Sequence, residues 1–174
     1  MKRAIVFACL LALTTPAYAE APGDTAGPIT SQAQRDAIAT RVHGGESCAQ
    51  CDLFQIDLSY QNIGGRDFSG ARIRQSDLSL ATADRTRFHG ANMSLANMFG
   101  MRASSADFTD TNLDGAGMVG GYYGRARFNG ARLRGANLSG AELADALGLT
   151  QAQLNEACGD SSTTLPTGLT LPSC

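Results

Sequence analysis

From Leu53 to Leu143 every fifth residue is apolar or small. Leu53, Leu58, Ile63 and Phe68 open the series, and Phe128, Leu133, Leu138 and Leu143 close it. The run covers 19 consecutive positions without an insertion, and none carries a charged or strongly polar side chain. An α-helix returns to one face after about 3.6 residues and a strand after 2, so neither accounts for a period of five. Two residues before each of these centres the chain is usually small, as at Ala71, Ala91, Ala106, Ala126 and Ala136. The residue just before the centre is mostly Asp, Asn or Arg, and Gly is frequent two residues after it.

A second period lies on the first. Phenylalanine occupies a centre at Phe68, Phe88, Phe108 and Phe128 and at no other centre, and Asp67, Arg87, Asp107 and Arg127 precede those four. Two residue classes therefore agree that every fourth unit is equivalent. The simplest object with this symmetry is a coil of four five-residue sides, with successive coils stacked at roughly the inter-strand spacing of 4.8 Å. In such a coil the centres and the small residues point inward and the other three positions of each unit face solvent. The four phenylalanines then form an internal stack, with the Asp/Arg series as a ladder of opposite charges beside it. On the side of Ala83 and Ala103, Tyr123 helps to fill the space that two alanines leave. Nineteen units make just under five coils, a rod roughly 23 Å long.

The units "ANMSL" at 91, "ADFTD" at 106, "ARLRG" at 131 and "ANLSG" at 136 resemble the A-(D/N)-L-x-x pattern of the pentapeptide-repeat family. The resemblance covers residues 51–145. It implies an all-β solenoid, a right-handed quadrilateral β-helix with short strands and tight turns. The motif lapses at 61–65, 81–85 and 116–125, where locally irregular coils are expected.

A solenoid needs caps on both ends, and residues 30–50 and 146–174 are the candidates. Residues 31–43 read as a helix with Thr30 or Ser31 as N-cap and Gly44-Gly45 as stop. At the other end Thr150 can cap a helix "QAQLNEAC" stopped by Gly159, followed by an extended, turn-rich tail. Helix and tail are expected to close the last coil. Residues 20–29, rich in Pro, Gly and Ala, read as a flexible linker.

Residues 1–19 have the form of a secretory signal: Lys2 and Arg3, an apolar run from Ala4 to Leu13, and Ala17-Tyr18-Ala19 as a cleavage site. That run is too short to span a bilayer. A mature chain starting at Glu20 is expected to be periplasmic or secreted without a membrane anchor. It would carry 12 Arg against 16 Asp plus Glu, which gives no basic footprint for nucleic acid. Its four cysteines, Cys48, Cys51, Cys158 and Cys174, form an even set in an exported chain, which favours disulfides. A disulfide needs α-carbons within about 7 Å. The rod holds its two ends roughly 20 Å apart, so 48–51 and 158–174 are the favoured pairs. Cys51 falls at an inward position, where a disulfide and a buried thiol are both open.

No constellation in the chain points to catalysis, a cofactor or a metal. "CAQC" has the spacing of thiol–disulfide oxidoreductases, but such motifs usually sit at a helix N-terminus, and this one leads into a repeat strand. His43 is the only imidazole near it, too few donors for a zinc site. His89 follows the Phe88 centre and faces outward as a surface residue.

The reading that remains is a structural or protein–protein interaction module using the faces of a rigid rod, with a protein partner or a second copy of itself. Tyr60, Leu80, Phe99 and Val119 face outward on one side, with Leu95 near the same corner. Such an apolar strip marks an interface or a surface packed beneath a terminal segment. Two other readings stand behind it. Resemblance to the family's quinolone-resistance members, which mimic duplex DNA and bind DNA gyrase, implies a topoisomerase modulator. Against it, residues 51–145 hold 10 acidic residues and 10 arginines, whereas a DNA mimic needs a dense negative surface. The other is a thiol–disulfide oxidoreductase acting through Cys48 and Cys51.

Overall fold

The computed structural model describes residues 31–174; the signal and linker assignments fall on residues outside that range. Helix α1, Gln32–His43, begins at Ser31, whose hydroxyl accepts from the Gln34 backbone N–H while the Gln34 side chain accepts from the Ser31 N–H. Gly44 ends it.

The chain then enters a coil that advances by 20 residues per turn. Parallel bridges join Asp52 to Arg72, Asp57 to Asp77, Asn62 to Thr82 and Asp67 to Arg87, and the same four rows repeat upward to Leu147. Each bridge residue is the one just before a centre, mostly Asp, Asn or Arg. Its backbone bonds run coil to coil, as in Leu53 N–H to Arg72 O and Arg72 N–H to Cys51 O, both 2.8 Å. Between bridges the chain turns a corner in a single β-turn, for example Ile56 N–H to Leu53 O at 3.1 Å. The residue two after each centre has positive φ at every unit from Gln50 to Gly140. A turn with φ above zero only at its third residue is type II, which favours glycine there. This is why Gly recurs at that position. Ten units nevertheless hold it with another residue, among them Gln55, Arg85 and Arg125.

All 19 centres are buried. The phenylalanines stack with ring centroids 5.7, 5.2 and 5.1 Å apart and planes 12° from parallel. Tyr123 meets Phe108 and Phe128 edge-on at 6.1 and 5.9 Å. From Ala71 to Ala141 the small position is equally enclosed. Where it holds a hydroxyl, the bond goes to a carbonyl of the coil below: Ser76 to Leu53 O, Thr86 to Ile63 O and Thr111 to Phe88 O.

The three stretches expected to be irregular are regular. Asn62, Thr82, Arg102, Tyr122 and Glu142 form one unbroken row of bridges, and Gly117 bridges both Asn97 and Asn137. Coil-to-coil bonds are made by backbone, so a lapse in the side-chain motif leaves them intact. The coil also starts earlier than residue 51. Cys48 occupies a buried centre beneath Phe68, and its N–H donates to Asp67 O.

Both ends differ in detail from the sequence reading. Helix α1 lays Ile38, Ala39 and Val42 on the apolar core. Arg66 donates to Val42 O at 2.8 Å, and the His43 ring bonds Asp57 O at 2.7 Å. Helix α2 is only Gln151–Leu154, not the eight residues expected, because the coil reclaims the backbone beyond it. Cys158 bridges Asn137, and Thr164 bridges Glu142. The Gln153 side chain donates to the carbonyls of Phe128 and Ala131, both at 2.8 Å. Cys48–Cys51 and Cys158–Cys174 are disulfide-bonded, with α-carbons 5.5 and 4.8 Å apart. Of the first pair Cys48, not Cys51, is the more deeply buried.

Candidate interaction surface

A filled interior leaves only the outside of the coil for recognition. Outward positions are the two turn residues after each centre and, in part, the bridge residue before it. On the side that carries Leu58, Leu78, Met98 and Met118 inward, the turn positions hold Tyr60, Leu80, Phe99 and Val119. Tyr60 is 76% exposed, Phe99 52%, Leu95 50% and Leu80 44%. Val119 is half-buried, less open than its outward position suggested.

The leucines have an internal role as well. A Cβ on Gly100 would come within 2.7 Å of Leu80 Cδ2, and one on Gly115 equally close to Leu95 Cδ2. Each leucine therefore lies over a bare glycine turn of the next coil and covers its backbone. Tyr60 and Phe99 are the two most exposed side chains of the strip. Neither helix nor the C-terminal tail covers these residues. Two exposed apolar groups were missed by the sequence reading, Tyr122 and Leu147. Both stand at the bridge position, where Asp, Asn or Arg is the rule, and that departure was the available signal.

The charges beside the phenylalanine stack pair in two rungs rather than one continuous ladder. Arg87 reaches Asp67 at 3.4 Å and Arg127 reaches Asp107 at 3.2 Å. The Ser69 hydroxyl and backbone N–H hold the Asp67 carboxyl below the usual range. Burial works to raise Asp107, but hydrogen bonds from Thr109 and Arg127 outweigh it and lower it. At the first coil Asp52, expected outward, is buried because Arg72 at 2.9 Å and Arg35 of α1 at 3.7 Å close over it. Burial pushes the Tyr123 phenol far above its ordinary range, and its oxygen has no partner among the described residues.

The candidate chemical groups are spread apart. Cys48 and Cys51 are bonded to each other at the entrance to the coil, well past the end of α1, so no helix N-terminus faces them. His43 docks α1 on Asp57 O, and His89 is exposed in the turn just after Phe88. Among the described residues no group of three or more His, Cys, Asp or Glu is placed to hold a metal ion. None of their helices is long and apolar enough to cross a membrane.

Parallel one-residue bridges at a 20-residue interval, a type II turn every five residues and a solid core together define a β-helix of five-residue units. The chain belongs to the pentapeptide-repeat family: the family model for pentapeptide repeats matches eight copies over residues 65–100 and 124–158. Its fold is accordingly of the right-handed β-helix type. It is similar to a pentapeptide repeat protein from the Arabidopsis thaliana thylakoid lumen, at 24% identity over 65% of this chain and 73% of that one, TM-score 0.34. HetL, involved in heterocyst differentiation regulation in Nostoc sp. strain PCC 7120, shares 22% identity over 71% of this chain and 58% of its own, TM-score 0.36. QnrB1, a plasmid-mediated fluoroquinolone resistance protein, shares 18% over 74% and 83%, TM-score 0.25. At these scores the likenesses say nothing about a partner or an activity. No curated protein sequence matches the chain.

Proposed function

We propose that this pentapeptide-repeat protein is an exported, non-enzymatic interaction module. Its right-handed quadrilateral β-helix, closed by a helical cap at each end, serves as a rigid rod that presents one apolar side to a protein partner. The observation that carries the reading is the exposed strip of Tyr60, Phe99, Leu80 and Leu95 on a rod with a filled interior. Patches of this kind usually mark contacts. Export to the periplasm or beyond is supported by the signal-like residues 1–19 and fits two disulfides, which persist in oxidising compartments.

The gyrase-directed reading is weaker here. The repeats balance acidic residues with arginines, and several of those carboxylates are engaged by arginine, so the anionic surface of a nucleic-acid mimic is missing. The oxidoreductase reading is weaker too, since the Cys48 sulfur is buried and reactive cysteines are usually accessible.

A photo-crosslinking residue placed at position 99 should trap a partner from the exported fraction. The same residue at Asn129, exposed on a different side, should not. Equal trapping at both positions would remove the strip from the account.

A further inference from the structure

A broad concavity of the rod is on a different side from the apolar strip. It is an open cleft of about 720 Å³, with Asn62, Thr82 and Arg102 along one wall and Arg87 and Arg127 along the other. Its floor is made of turn residues that are small, Gly64, Gly65 and Ser105, interrupted by Arg85. The depression exists because glycine and serine stand at corners where other coils carry larger side chains. No large apolar side chain lines it, so an apolar ligand gains little there.

The charge of the cleft is opposite to that of the molecule. Four arginines and one carboxylate, Asp84, line it, on a chain whose formal net charge is −2. Asp84 is taken by Arg102 through two guanidinium nitrogens. Arg87 and Arg127 each spend a single nitrogen on Asp67 and Asp107. A guanidinium has five N–H donors, so most of theirs remain open. Arg85 has no side-chain partner among the described residues, although its backbone is held at φ 58 in a turn that favours glycine. A long cation at a turn position with positive φ, lining a polar cleft whose one carboxylate is already taken by Arg102, has no ion-pair role in the fold.

We propose that this cleft binds an elongated oligoanion, a ligand that carries two or more phosphate or sulfate groups along its length. Arginine forks match such groups with paired hydrogen bonds. Arg87 and Arg127 stand two coils apart, about 10 Å along the rod at the inter-strand spacing, further than one tetrahedral anion reaches. Arg85 sits beside the lower of them and supplies the uncommitted charge, and the Ser105 hydroxyl adds a donor on the floor. A cleft of this size suits a small molecule rather than a single ion.

The test uses sodium tripolyphosphate and inorganic phosphate as probes, titrated into the disulfide-intact protein by calorimetry and by amide chemical-shift mapping. Saturable one-to-one binding of tripolyphosphate is expected, at least tenfold tighter than phosphate, with shifts centred on Arg85, Arg87, Ser105 and Arg127. Arg85→Gly restores the residue found one coil below at Gly65 and suits the positive φ, so it should fold and weaken binding at least tenfold. Arg87→Gln is the second variant and should act in the same direction. Arg74→Gln removes the same charge from another side of the rod and should leave binding within twofold. Non-saturating shifts, equal affinity for the two probes, undiminished binding by both cleft variants, or equal weakening by Arg74→Gln would each overturn the proposal.

Discussion

Phe108 touches aromatic rings on three sides: Phe88 below, Phe128 above and the edge of Tyr123. Truncating it opens a cavity that a close-packed coil cannot collapse around, so Phe108→Ala should cost about 3–5 kcal/mol. Thr109, its outward neighbour, meets Asp107 only through its N–H and hydroxyl, so Thr109→Ala should cost about 1 kcal/mol or less. Urea titrations of the two variants separate these outcomes, and equal losses would contradict the inward and outward assignment. Titration also acts at this scale. Asp67 and Asp107 both have folded pKa values below their ordinary ones. Their stabilisation is therefore fully present above the unfolded value of about 3.9 and is lost as pH falls through the folded values. The urea midpoint should hold between pH 7 and pH 5 and drop below about pH 4. The Asp67→Asn/Asp107→Asn variant should show a shallower fall, and an unchanged one would remove these carboxylates from the acid transition.

At the scale of elements, the sequence was most legible where spacing alone decides the structure. The period of five marks which side chains turn inward, and Gly at the third turn residue marks where φ is positive. The ends were harder to read because there competing partners decide. Thr150 and Gln153 signal a helix start, yet nothing local to "QAQLNEAC" says that the Asn137 row will capture Cys158 and stop α2 after one turn. Asp52 likewise has the motif of an outward residue and is buried because Arg72 of the next coil and Arg35, 17 positions earlier, close over it. The C-terminal segment offers a direct test. The disulfide closes a separation of 16 residues, which the chain-entropy model values at about 3 kcal/mol. In a solenoid each coil is stabilised by its neighbours. The Cys158→Ser/Cys174→Ser variant should therefore lose amide protection first at Leu138 and Leu143, whose N–H groups bond Cys158 O and Thr164 O. Protection around Phe88 should persist longer; simultaneous loss at both places would mean that the coil melts as one unit and that the tail does not guard its end.

The whole molecule is a solid rod, and its possibilities follow from that. A core filled by Phe, Leu, Met and Tyr123 leaves recognition to the surface, where the pattern is weakest: outward residues are free to vary without disturbing the coil. The outward rows place Tyr60 and Phe99 on one side in the sequence as in the fold, because the 20-residue period converts position into side directly. The arginine cleft was not legible in this way. It joins residues from two adjacent sides and depends on the small turn residues between them, a depth that a one-dimensional period does not encode. The central claim is that the apolar strip is where this rod meets its partner. The most direct measurement is quantitative affinity capture from the exported fraction, with the wild-type chain and the Tyr60→Ser/Phe99→Ser variant as paired baits, after their circular dichroism and melting have been matched. The account predicts that a protein enriched by the wild-type chain falls at least tenfold with the variant, since aromatic anchors dominate most interfaces; a partner retained at full yield by the variant would contradict it.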